Sequence, residues 1–234
     1  MNVVVLQPSY VPWRGFFHLI QRADVFVFYD DVQYDKHGWR NRNRIKTPAG
    51  TQWLTIPVLA KGNVDKGLPI NEARVSRAEN WPRKHLASIR QSYSKAPFFE
   101  AYRPLLESFY SDTPELLADF TIDTTKKLAE ALGLTKTRFL RSSDLHIEGS
   151  KNERLLGLLQ KVGATHYISG PSAKDYIDAA AFEAAKITLE YQVYDYPEYE
   201  QLYPPYDPQV SVLDLLFMKG PAAGEWIWGA ECKR

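Results

Sequence analysis

Between Lys36 and Lys46 the chain carries five lysines and arginines and no acid: Lys36, Arg40, Arg42, Arg44 and Lys46. If this stretch is extended, Arg40, Arg42, Arg44 and Lys46 fall on one side, because side chains alternate along a strand. Aligned like charges repel, so an anion or nearby carboxylates must compensate them. A guanidinium suits phosphate or carboxylate because it gives two parallel hydrogen bonds. The same pattern also fits a solvated edge strand kept from aggregating by its charge, and both readings stay open. Asn41 lies within the segment as a further polar contact. His37 is the histidine placed to act as acid or base, whereas His18 and His85 fall inside helical patterns as packing residues.

Asp30, Asp31, Gln33 and Tyr34 follow an apolar run directly. Carboxylates there can hold a sugar hydroxyl, bind Mg²⁺ or orient the arginines that come next. Adjacent acids point in different directions, so one is expected to be functional and one structural. No second acidic cluster has metal-ligand spacing, which ranks metal behind an aspartate–arginine pairing. Upstream, Gln7 to Gly15 holds two prolines, Pro8 and Pro12, which remove two backbone donors and exclude a phosphate-cradling glycine loop. Gln7, Tyr10 and Trp13 can instead grip a sugar or a base by stacking and hydrogen bonding. Arg14 opens a helix whose dipole favours a negative group. The competing reading is a rigid turn with buried aromatics.

A third candidate segment runs from Ser169 to Tyr176. Lys174 can meet a phosphate or carboxylate, and Asp175 can serve as base or as the partner of Lys174. A surface turn with a helix cap is the alternative. The chain has no Gly-x-Ser-x-Gly elbow. Its single cysteine, Cys232, excludes an intramolecular disulfide and a cysteine zinc cluster.

These residues need a frame. Val3 to Leu6 is an apolar β-branched run without alternation, as in a strand buried on both faces. Phe16, Phe17, Leu19 and Ile20 form a helical stripe, and Val25 to Phe28 repeats the strand pattern. Strand, helix and strand in so short a span favour parallel pairing. Ligands in such sheets sit beyond the carboxyl ends of the strands. A strand is expected over 51–58 and a flexible loop over 60–67. Asn80 is placed to cap a helix that buries Trp81, His85, Ile89 and Tyr93. A helix over 102–110 follows, and another from Thr113-Pro114 to Gly133. Strand and helix alternation resumes at 137, with Ser150 and Glu153 as a capping box for a helix ending at Gly163. Further strands are expected at 166–168 and 187–193, a Tyr- and Pro-rich loop at 194–208, and a last helix capped by Ser211. The expected fold is α/β: a mostly parallel, Rossmann-like sheet with flanking helices in a single domain over 1–234, with 80–133 as a helical insert or cap. Gln7, Tyr10, Trp13, Asp30, Asp31, Lys174 and Asp175 are then expected to line one pocket, walled by the basic segment.

Composition narrows the partners. With 29 Lys and Arg against 28 Asp and Glu the net charge is +1, so no global field advertises nucleic acid. The start has no basic signal-peptide region, and no stretch approaches the roughly 18 apolar residues that span a bilayer. A cytoplasmic protein without membrane insertion is expected.

Taken together these segments resemble the WbqC-like family. The resemblance is carried by Gln7, Pro8, Tyr10, Pro12, Trp13, Gly15 and Phe16, then by Ala23–Val27, Asp30–Tyr34, Asn41–Lys46 and Leu54–Val58. It resumes at Trp81, Lys84 and His85, at Tyr93 and Pro97–Phe99, and at Tyr167, Ser169 and Gly170. Lys174–Tyr176, Ser211 and Asp214–Phe217 complete it. One departure is Leu6, at a position where the family pattern usually carries histidine, which removes any role for that side chain here. The resemblance implies a place in bacterial O-antigen or related surface-polysaccharide biosynthesis, with an acyl or aminoacyl group transferred or ligated onto a nucleotide-linked amino sugar. A non-catalytic nucleotide- or glycan-binding module is the competing class. A nucleotidyl transferase is a further one, by analogy of fold alone. ATP fits an adenylate-forming route and Mg²⁺ a carboxylate site, but the sequence names neither. It leaves the acyl donor and a possible homo-oligomer open as well.

Overall fold

Val3, Val4 and Val5 have room for few rotamers and pack well on a pleated surface; they form the middle of β1 (Asn2–Leu6). The chain then turns through α1 (Arg14–Arg22) into β2 (Val25–Phe28), which pairs parallel to β1 from Val3 opposite Val25 to Leu6 opposite Phe28. The computed structural model describes residues 1–59, 67–175 and 177–229, with Asp175 described by its backbone alone. Residues 60–66 of the expected flexible loop, Tyr176 and Cys232 lie outside the described residues.

Three more strands complete the main sheet: β5 (Arg138–Arg141), β6 (His166–Ser169) and β7 (Thr188–Tyr191). The order is β5-β2-β1-β6-β7, and every neighbouring pair is parallel. All five carboxyl ends therefore lie along one edge. Alternate residues feed two apolar layers. Val4, Phe26 and Phe28 pack with Phe16, Phe17, Leu19 and Ile20 of α1 on one face. Val3, Val5, Val25 and Val27 pack with Leu155, Leu158, Leu159 and Phe182 on the other. Those last four come from α5 (Lys151–Val162) and α6 (Ala179–Ala184). Helices on both faces account for strands without polar alternation.

A separate antiparallel hairpin, β3 (Arg42–Thr47) with β4 (Gly50–Thr55), pairs Arg44 with Trp53 and Thr47 with Gly50. Gly50 takes φ 110° at the turn, where a side chain would be strained. Three helices separate the hairpin from β5: α2 (Trp81–Tyr93), α3 (Phe99–Tyr110) and α4 (Leu117–Ala131). The third starts later than Thr113-Pro114 suggests. Tertiary pairing holds the preceding residues extended: Val75 N donates to the Glu115 carbonyl and Leu117 N to that of Ala73, each at 2.8 Å. Near the carboxyl terminus stand α7 (Val212–Lys219) and α8 (Glu225–Trp228). Ser211 caps α7, its hydroxyl accepting from Leu213 N at 3.3 Å. Asn80 and Ser150 do not cap with their side chains. Asn80 is itself left-handed, and Lys151 at φ 48° displaces the first turn that a capping box needs. β7 ends at Tyr191, short of the expected 193, where the Gln192 amide donates to the Val193 carbonyl. No helix among the described residues is long and apolar enough to cross a membrane.

Candidate functional site

The loop from Gln7 to Trp13 leaves the carboxyl end of the central strand β1 and is pinned on every side. Tyr10 N donates to the Trp39 carbonyl at 3.1 Å, and Val212 N donates to that of Pro12 at 2.9 Å. The Asn43 amide donates to the Tyr10 and Val11 carbonyls at 3.0 and 2.8 Å. Val11 sits at φ 35°, costly for a β-branched residue, and the surrounding bonds hold it there. After Pro12 the Trp13 indole folds back over Gly15. A Cβ added at Gly15 would lie 2.3 Å from the ring, so the glycine is the condition for that ring position.

The result is a small cleft of about 100 Å³. Trp13, Phe16 and Trp39 form its apolar wall, and Ser9, Arg40, Asn43 and Gln209 its polar one. Arg40 donates one guanidinium hydrogen bond to Gln7 Oε1. Its Nε is buried with no acceptor. Burial lowers the Arg40 pKa to about 10, partly offset by Asp35; the group remains a cation at neutral pH. Beside it, Trp39 and Trp53 pair with ring centroids 5.2 Å apart, at 39% and 44% exposure. The Arg42 and Arg44 guanidinium carbons lie 4.6 and 5.6 Å from the Trp53 ring centre. Arg44 also donates to Gln209 Oε1 at 2.9 Å and lies 3.6 Å from Asp207. The Nε groups of Arg42 and Arg44 lack acceptors, as does that of Arg14 inside the core.

The aspartates after β2 are arranged otherwise. Asp30 is fully buried. Its Oδ1 accepts from Ser143 N at 3.0 Å and lies 3.2 Å from Ser142 Oγ; its Oδ2 accepts from Arg141 Nε at 2.6 Å and Ser143 Oγ at 3.0 Å. Asp31 accepts from Ser142 Oγ at 2.5 Å and from Arg154. The expected aspartate–arginine pairing is thus present for both acids, with arginines from β5 and α5 rather than from the basic segment. No group of three or more His, Cys, Asp or Glu among the described residues could hold a metal ion.

The remaining expected residues scatter. Tyr10 is a core residue: its hydroxyl bridges His85 Nδ1 at 2.9 Å and Tyr110 Oη at 2.5 Å. Burial lowers the His85 pKa to about 4 and pushes Tyr110 above its ordinary range. Arg14 is buried, donating to the Pro197 and Trp226 carbonyls at 2.9 and 3.1 Å and to Tyr206 Oη at 2.7 Å. Lys46 is buried and donates to the Pro205 carbonyl. Its backbone N–H donates to Tyr93 Oη, which in turn donates to buried Asp214. Desolvation raises the Asp214 pKa against the Tyr93 and Tyr199 hydrogen bonds. Asn41 is buried and donates to the Ile56 carbonyl at 2.8 Å. Gln33 is exposed on a bridge to Pro69, Tyr34 is buried, and His37 is exposed. Ser169 is buried at the end of β6; Lys174 is exposed, 5.3 Å from the Tyr191 ring centre at the end of β7. Of the expected pocket, then, Trp13 and Arg40 line the cleft with Gln7 bonded behind Arg40, while Asp30 with Asp31, and Lys174, lie apart from it along the strand edge. Trp39, Trp53, Asp207 and Gln209 were not among the residues singled out from sequence. Trp39 adjoins Arg40 in sequence, whereas Trp53 has no arginine near it and meets Arg44 only through the hairpin register.

A doubly covered parallel sheet with an aromatic and cationic cleft beyond its central strand defines an α/β protein with a candidate ligand site at its strand ends. Comparison with known proteins assigns the particular lineage: residues 7–225 match the model of the WbqC-like protein family, and the chain belongs to that family. It is 38% identical over 228 residues to an uncharacterized protein of Mycobacterium tuberculosis (strain ATCC 25618 / H37Rv), a match covering 97% of each chain. No solved structure matches it.

Proposed function

We propose that the protein is a cytoplasmic enzyme of bacterial surface-polysaccharide biosynthesis that transfers or ligates an acyl or aminoacyl group onto a nucleotide-linked amino sugar. The observation that carries this reading is Arg40. It is a cation at the cleft wall, held by Gln7, with a buried N–H that has no protein acceptor. A buried unpaired donor costs about 1–3 kcal/mol, and an anionic ligand would relieve that cost with a charge-assisted bond. Trp13 beside it offers a flat apolar face to a sugar ring. In this reading Asp30 and Asp31 are positioning residues for the edge of the sheet, and the helices over 80–133 are a cap within a single domain.

The test is incubation of the purified protein with nucleotide amino sugars and acyl or aminoacyl donors, with and without ATP and Mg²⁺, reading products by mass spectrometry. A mass gain on the sugar equal to the acyl group is expected. Saturable binding with no product from any donor would favour a non-catalytic binding module instead.

A further inference from the structure

We propose that Trp39 and Trp53, with Arg42 and Arg44 across their faces, form an outer stacking subsite for the base of a nucleotide-linked ligand whose sugar enters the Trp13 cleft. The inference rests on the function proposed above and assigns the two ends of its substrate.

The cleft alone is too small for such a molecule. Its volume of about 100 Å³ lies below the roughly 300–1,000 Å³ of ligand sites, so no more than one ring of such a ligand lies within it. The rest of a longer ligand must leave through the mouth. Trp39 stands there, belonging to the cleft wall and to the pair with Trp53 at once. Trp53 projects outward on β4 while its neighbour Leu54 is buried. Two large indoles at 39% and 44% exposure, tilted 36° to each other, present far more apolar surface to water than an edge strand needs.

The chemistry around them selects a base. Every nucleobase offers a π-face, and stacking on an aromatic side chain is tolerant of which base it is. The Arg42 and Arg44 guanidinium groups lie over Trp53, and each has a buried Nε without an acceptor. Arg44 also lies 5.9 Å from the Trp39 ring centre, so both cations flank the indole pair and can meet the phosphates attached to a stacked nucleoside. Arg44 also holds Gln209, which lines the cleft, so inner and outer parts form one continuous surface.

Calorimetry with three probes and two variants tests this. The probes are UDP-N-acetylglucosamine, N-acetylglucosamine 1-phosphate and the neutral disaccharide N,N′-diacetylchitobiose. Stacking one base on an aromatic ring is worth roughly tenfold to a hundredfold in affinity, so wild type should prefer the nucleotide sugar over the sugar phosphate by at least about tenfold. Trp53→Ala should abolish that preference while leaving sugar-phosphate affinity unchanged, and Trp53→Phe should restore most of it. If Trp53→Ala binds the nucleotide sugar as wild type does, the outer subsite is wrong and the proposed function stands. If the disaccharide is the probe that loses affinity in Trp53→Ala, the platform takes glycan and the inference is overturned. Should none of the probes bind wild type, both the subsite and the functional reading fall.

Discussion

Along one edge of the sheet, two charged clusters meet opposite fates. The acids after β2 have their oxygens filled: Asp30 accepts from Arg141 and from the N–H and hydroxyl of Ser143, and Asp31 is held by Ser142 and Arg154. The arginines around β3 are underused, with the Nε of Arg40, Arg42 and Arg44 all lacking an acceptor. Both clusters look reactive as sequence. What separates them is saturation: a charge whose hydrogen-bonding capacity is spent within the protein braces the fold, and one with capacity left over can act on something else.

The contrast can be broken by experiment. The largest effect is expected from Asp30→Ala, which removes the acceptor of the Ser143 N–H and hydroxyl and leaves Arg141 with Asp119 alone. It should lower unfolding free energy by about 3 kcal/mol in urea titrations while leaving ligand affinity of the folded fraction unchanged. An active-site role would reverse the pattern, with intact stability and lost binding or turnover.

A comparable effect should come from the core side of the Gln7–Trp13 loop. His85, hydrogen-bonded to Tyr10, has its pKa lowered from 6.5 to about 4 by burial. The unfolded chain therefore binds the extra proton first, and stability rises with pH across that window. At about 1.4 kcal/mol per unit, as much as about 3 kcal/mol should be lost as pH falls from 6.5 to 4. His85→Gln should flatten that part of the urea-midpoint profile. A variant with the wild-type slope would place the pH dependence elsewhere.

Arg40→Ala probes the unsaturated cluster. It should weaken nucleotide-sugar binding by about 1.5–3 kcal/mol in calorimetry, with Arg42→Ala giving the same or less, and neither should lower the melting temperature appreciably. Loss of stability without loss of affinity would make these arginines as structural as Asp30. The smallest effect is expected from Gly15→Ala. The added Cβ clashes with the Trp13 ring and should cost about 1–2 kcal/mol of stability. It should also shift tryptophan fluorescence as the indole moves out of the cleft.

The β1-α1-β2 unit was legible because apolar runs and a helical stripe directly encode burial on two faces. The ends of elements were less so. Nothing local in Thr113-Pro114 announces that Glu115 and Leu117 bond to the strand-like residues near Ala73 and Val75. The site divides in the same way. Gln7, Trp13 and Arg40 were identifiable by residue type and by their place after a strand. Tyr10 was not separable from Trp13, since which aromatic of a proline-stiffened loop turns inward depends on partners such as His85 and Tyr110, found 75 and 100 positions away. The aspartates misdirect for the same reason: Arg141 and Arg154, which occupy them, are more than 100 positions downstream.

Arg14 has a consequence for how the molecule is made. Its guanidinium donates to the Trp226 carbonyl, 212 positions later, as well as to Pro197 and Tyr206. Ribosomes add about 5–20 residues per second, so α1 waits on the order of 10–40 s for Trp226. During that interval the Trp13 end of the loop lacks its anchor. The cleft is therefore late to settle: the loop before Arg14 reaches its final form only after Trp226, made 212 positions later, has joined it.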